Sequence, residues 1–137
     1  MFSALDVSAS GLSAQRQRLT VIAANLANAF TTRDAAGRPS PYRRQMALLQ
    51  SAPVAQTGED GAVGVRVAGV AADPSPFRQV HDPSHPDADR DGYVYYPNVD
   101  VLTETVDAMA ATRAYEANIT AIEATKSMLT AALRILA

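Results

Sequence analysis

The chain has 137 residues, enough for one small domain or a small domain with long extensions, and too few for two large cores. Its formal charge is −2, from 12 basic and 14 acidic side chains interspersed along the sequence, so it lacks the basic stripe that phosphate neutralisation requires and nucleic acid is excluded as an expected partner. Cysteine is absent, which removes disulfides, thiolate catalysis and Cys-ligated metals together.

Hydrophobic residues make up 47% of the chain, but much of that share is alanine, with three Phe and no Trp, so the core of a lone molecule would be thin. The opening residues Met1 to Asp6 lack the charged segment and apolar run of a cleaved signal peptide, and no span of about 18 apolar residues occurs. Composition alone reads as cytoplasmic.

The first region, 1–30, has the spacing of a helix. Leu5, Ser8, Leu12, Gln15, Leu19, Ile22, Leu26 and Ala29 recur at alternating steps of three and four, the pattern of a seam between paired helices. Ser3 with Asp6 three residues on resembles a weak capping box and predicts the helix start.

The second region, 31–97, holds all eight prolines and six of the seven glycines. Val63, Val65 and Val67 alternate with small or polar residues, which predicts a half-buried strand, and Tyr42 to Leu49, Phe77 to His81 and Gly92 to Tyr96 are further strand candidates. These segments predict a small antiparallel β domain.

The third region, 98–137, returns to helical spacing. Val101, Thr105, Ala108, Thr112, Tyr115, Ile119, Ile122, Lys126, Leu129, Leu133 and Leu136 form one stripe, with Asn98 or Asp100 as the cap. The expected class is α+β: long N- and C-terminal helices pairing as a coiled coil around a small central β domain. Burying a large apolar side chain returns about 1.5–3 kcal/mol, while fixing each backbone residue costs about 1–2 kcal/mol. A single helix–helix contact is therefore marginal alone, and the pattern points to assembly.

Motifs for chemistry are sparse. Asp87-x-Asp89-x-Asp91-Gly92 matches the start of a calcium loop, but the twelfth position is Asn98 where a bidentate Glu is needed, and prolines replace the flanking helix. A turn held by Asp side chains is the expected reading, with no metal ligands and no cofactor. His81 and His85 are spaced for metal only on a helix that Pro83 and Pro86 forbid, so they read as loop histidines. The Tyr42-Arg43-Arg44 pair reads as a solvated strand edge. Nucleophile elbows, phosphate-binding glycine loops and zinc-protease helices are missing from the sequence, so no catalytic residues and no enzyme activity are expected.

The stretch Ala4 to Gln15, followed by Val21 to Ala29 with its Asn25-Leu26-Ala27-Asn28, resembles the N-terminal signature of the flagellar rod and hook axial proteins. Pro41 to Gln45, Asp82 to Asp89, Asp91 to Val94, Tyr96 to Asp100 and Arg113 to Asn118 are similar to the short proximal-rod members of that family, and the likeness covers nearly the whole chain. Phe30 departs from the polar residue expected at the end of the signature.

The resemblance implies a structural subunit of the proximal rod of the bacterial flagellar basal body, exported without a cleaved signal through the type III apparatus and assembled helically in the periplasm. Its terminal helices would line a drive shaft that transmits torque and encloses the export channel. Implied partners are other copies, adjoining rod proteins, the export apparatus and the basal ring, with no small-molecule substrate.

The expected subunit-contact residues are Leu5, Leu12, Leu19, Ile22 and Leu26 against Tyr115, Ile119, Ile122, Leu129, Leu133 and Leu136. Asn25, Asn28, Arg113, Glu116 and Asn118, taken as lying off the apolar stripes, are assigned to polar contacts between subunits. The other readings are a different short rod subunit, or a calcium-dependent binding module built on Asp87 to Asp91.

Overall fold

The computed structural model describes residues 2–53 and 62–136. Helix α1 spans Phe2–Ala27 and helix α2 spans Val101–Leu136, with four strands between them: β1 Gln45–Pro53, β2 Val63–Ala72, β3 Arg78–His81 and β4 Tyr93–Tyr96. The α+β class with paired terminal helices and central antiparallel strands is present as expected. The strands form two separate two-stranded sheets, β1 with β2 and β3 with β4. β1 and β2 pair from Gln45↔Ala72 to Pro53↔Val63, with the register slipping between Leu48 and Leu49. Such a slip twists a ribbon locally.

α2 begins where Asp100 accepts the exposed amides of Leu102 at 2.9 Å and Thr103 at 3.4 Å, which makes Asp100 its cap. Asn98 is occupied elsewhere: it accepts the Arg44 amide at 2.8 Å and donates to the Asp73 and Ser75 carbonyls. Ser3 lies inside α1, which already runs from Phe2. At the other end of α1 the Asn28 side chain donates to the Ala24 carbonyl at 2.9 Å and accepts from Thr31, closing the helix before Phe30 turns to solvent.

The helices run antiparallel, since Asn25 meets Glu104, Arg18 meets Asp107 and Gly11 meets Asn118. Ile22 and Ala29 are buried as the predicted stripe has them, but the other buried positions fall one residue before the predicted stripes on each helix. Gly11, Ala14, Ile22 and Asn25 are the buried positions of α1, Ala29 is buried just past its end, and Leu5, Leu12, Leu19 and Leu26 flank them half-buried. On α2 the buried positions are Glu104, Ala111 and Thr125, while Thr105, Thr112, Ile119, Lys126 and Leu133 are exposed. Tyr115, Ile122 and Leu129 are half-buried beside the line. The side chain of Leu136 lies outside the described residues.

Close approach explains the shift. A Cβ at Gly11 would stand 2.8 Å from Asn118 Oδ1 and 3.0 Å from its Cγ and Nδ2. Helices this near need small residues at the line of contact, which pushes the leucines to its margins. With 36 residues against 26, α2 also outruns its partner. The Gly11–Asn118 and Asn25–Glu104 contacts place the excess at the C-terminal end, where Leu133 is 59% exposed.

Gly11→Ala is expected to destabilise the chain by about 1 kcal/mol, because crowding at a packed contact costs about 1–3 kcal/mol and outweighs alanine's helix preference of about 1 kcal/mol. Thermal denaturation followed by circular dichroism should show the loss, and Asn118→Ala in the same chain should restore the midpoint.

Candidate functional site

The most enclosed polar group in the described chain is the Glu104 carboxylate, 0% exposed on the first turns of α2. A buried carboxylate requires compensating donors. Arg44, on the segment entering β1, supplies Nε to Oε1 at 2.6 Å, and Asn25 of α1 supplies Nδ2 to Oε2 at 3.1 Å. Arg44 also reaches Asp73 at 3.2 Å and Asp107 at 3.7 Å, and Asp107 accepts from Arg18 at 3.1 Å. One guanidinium therefore joins α2, the start of β1 and the end of β2.

Asn25 is 1% exposed and uses its whole amide. Its Oδ1 accepts from the Gln45 amide at 2.9 Å and the Tyr42 hydroxyl at 3.1 Å, while Nδ2 donates to the Gln45 carbonyl at 2.8 Å as well as to Glu104. The side chain thus pairs with the first residue of β1 as a neighbouring strand would. This corrects the expectation that Asn25 lies off the stripe and turns to another subunit: its polar atoms are spent inside the chain. Asn118 also lies on the line of contact rather than off it, packing on Gly11 and donating to the Ala114 carbonyl at 2.8 Å.

The reading of Arg43 and Arg44 as a solvated edge is also overturned. Arg43 donates to the Asp73 and Ser75 carbonyls and stacks 4.3 Å over Phe77. Burial lowers the affinity of Arg44 for its proton, but hydrogen bonds and charge from Glu104 and Asp73 outweigh it and leave the pKa raised. Tyr42 is raised by burial and by the Glu104 charge. Asp73 is lowered, first by hydrogen bonds from Ser75 and then by Arg44.

The aspartate loop forms a tie of a different kind. Asp89 accepts the Asp91 and Tyr93 amides, both at 2.9 Å, and Asp82 accepts from the Ser84 amide and hydroxyl. Gly92 has φ of +79°, and a Cβ there would stand 3.0 Å from Pro83, so glycine alone fits. Asp87 turns back to the exit of α1, accepting from Thr32 at 2.8 Å and pairing with Arg33. Those contacts hold its carboxyl below the ordinary range, the Arg33 hydrogen bond most strongly and Thr32 next. Among the described residues no three His, Asp or Glu side chains converge as a metal-binding group. His81 and His85 stack edge-on against Tyr93 and Tyr96.

A third feature lies on the outside of α2. Leu102 is 73% exposed, and Val106, Met109, Met128 and Ile135 are exposed with it. Arg113 and Glu116 are exposed on the same helix beside Met109. Apolar side chains repeated along a helix away from its own partner form a surface suited to another protein.

Two family descriptions match the ends of the chain. "Flagella basal body rod protein" covers residues 5–33, and "Flagellar basal body rod FlgEFG protein C-terminal" covers residues 90–135. Curated relatives span the whole: a flagellar basal-body rod protein FlgC from Bacillus subtilis is 47% identical over 98% of this chain and 97% of its own length. The FlgC proteins of Borreliella burgdorferi, 42% identical over 99% and 97%, and Escherichia coli O6:H1, 40% identical over 94% and 92%, agree with it. This chain belongs to the FlgC family of flagellar basal-body rod proteins.

The FlgC-family assignment matches the layout of the two ties. Asn25, Thr32 and Arg33 fall in the N-terminal match and Glu104 in the C-terminal one, whereas Arg44, Asp73 and Asp87 come from the stretch between them. Sequence reasoning missed Arg44, Asp73 and Glu104 as a group. The available signal was the heptad 104, 111, 118, 125, whose first member is a charged residue on an otherwise uncharged line.

Asn25→Ala is expected to cost about 2 kcal/mol, because it strips donors and acceptors from groups shielded from water; chemical denaturation measures it. Since the folded Asp87 carboxyl lies below its ordinary value, its stabilising contribution is complete at neutral pH and disappears as pH falls through the lowered value. Arg33→Ala should therefore move the Asp87 titration up towards the usual carboxylate range, as read by carboxyl-carbon NMR.

Proposed function

We propose that this chain is a structural subunit of the proximal rod, in which 1–30 and 98–137 build the wall of the shaft and 31–97 lies on its outer side. The observation that carries this reading is the apolar row Leu102, Val106 and Met109 facing away from α1 in a member of a rod-protein family. Neighbouring rod subunits would cover that row, with Arg113 and Glu116 as polar contacts at its edge and Asn28 near the α1 exit.

In this reading Leu5, Leu12, Leu19 and Leu26 serve twice. Each is half-buried beside the seam, so each offers an apolar margin to a helix from another copy. The chain would act without catalysis, by resisting twist: sliding packed helices past one another breaks many contacts together. It would leave the cytoplasm through the type III apparatus without a cleaved signal, and the rod would transmit torque around the export channel.

Deleting the gene in the source bacterium should stop flagella at an incomplete rod, and the intact gene should restore swimming. Leu102→Asp with Val106→Asp should keep the circular dichroism of the native chain yet fail to restore rods in electron micrographs of basal bodies. Complete, rotating flagella in the deletion strain would overturn the reading.

A further inference from the structure

We infer that the Glu104–Arg44–Asn25 junction sets the axial register of α1 against α2, a role beyond that of a rod subunit and independent of rod assembly. The shape of the seam fixes register only in part. Asn118 packed on Gly11 and the buried Ile22 are its two shaped points; the rest, Ala14 with Ala111 and Thr125, is small, and a small-residue line presents nearly the same profile after a shift of one heptad.

The junction discriminates more sharply than the seam. In the observed register the buried carboxylate meets Arg44 at 2.6 Å and Asn25 at 3.1 Å. A shift of α2 by one turn or one heptad draws it away from both, leaving an uncompensated charge in a dry site and a guanidinium without its closest partner. The second polar pair, Arg18 with Asp107, is about a third exposed on each side and discriminates weakly. The sharpest discriminator of register therefore lies at Glu104, four residues beyond the Asp100 cap.

The junction also ties register to the β region. Arg44 enters β1 directly, and Asn25 holds both backbone groups of Gln45, so the register that satisfies Glu104 is the one that aligns the β1–β2 ribbon with α1. Val65 of that ribbon is bound by Ser10 at 3.1 Å, a second point on the same helix.

Spin labels at Thr20→Cys and Ser127→Cys, both exposed positions in a chain without native cysteine, report the register of the purified full chain. The parent should give one narrow distance. Arg44→Met with Glu104→Leu removes both charges while keeping apolar bulk, a change that is neutral or stabilising where a buried ion pair does not hold the fold together. The expected result is an unchanged or raised thermal midpoint together with a distance distribution that broadens or splits by about one helical turn, roughly 5 Å. A single distance at the parent value overturns the inference. Loss of folding in the double variant overturns it too, because the junction would then supply stability and not choice of register. A distribution already broad in the parent has the same meaning. None of these results bears on whether the chain builds rods, which the deletion strain decides.

Discussion

A carboxylate shut away from water is the constraint from which the arrangement of this chain follows. Glu104 is wholly buried on a helix whose line of contact is otherwise uncharged, and a charge in that position is tolerated only with donors around it. Meeting that demand brings Arg44 back from the connection after α1 and holds Asn25 inward. Once Arg44 is placed, Asp73 and Asn98 follow, because both contact that residue through its guanidinium or its amide. Four segments distant in sequence are thereby fixed relative to one another by one connected set of polar contacts.

The β region depends on these ties more than on an interior of its own. Its sheets have two strands each, and two-stranded sheets are weak alone. The first is held to α1 by Asn25 and Ser10, the second by the Asp87 loop gripping Thr32 and Arg33. Val94 and Pro97, both fully buried, pack where the second sheet runs into α2. A body joined through directional polar bonds at several points has little freedom to hinge, which suits a mechanical part in a family of rod proteins.

The elements were legible in the sequence because their periods are strong. Unbroken three-and-four spacing marked both helices, and alternation around Val63 to Val67 marked a strand. The facing of the helices was not legible, and the reason is physical. Apolar periodicity locates the most hydrophobic side of a helix, yet here close approach selects Gly11, Ala14 and Ala111 for the seam and leaves leucines beside it. Arg44 and Glu104 sit 60 residues apart, and nothing local to either announces the other. The signature asparagines Asn25 and Asn28 stood out as motif residues, but their roles as a strand mimic and a helix terminator emerge only from their hydrogen bonds.

The unequal helices give each molecule a protruding prong. Past the point where α1 begins, α2 continues as a lone spur carrying Met128, Leu133 and Ile135, with Ile135 85% exposed. In the rod proposed above, a spur with this much exposed apolar surface would need a neighbouring molecule to cover it. Twisting stress would then reach the neighbour as sideways pressure on the covered helix, and the shaft would yield by bending a spur or pulling it free.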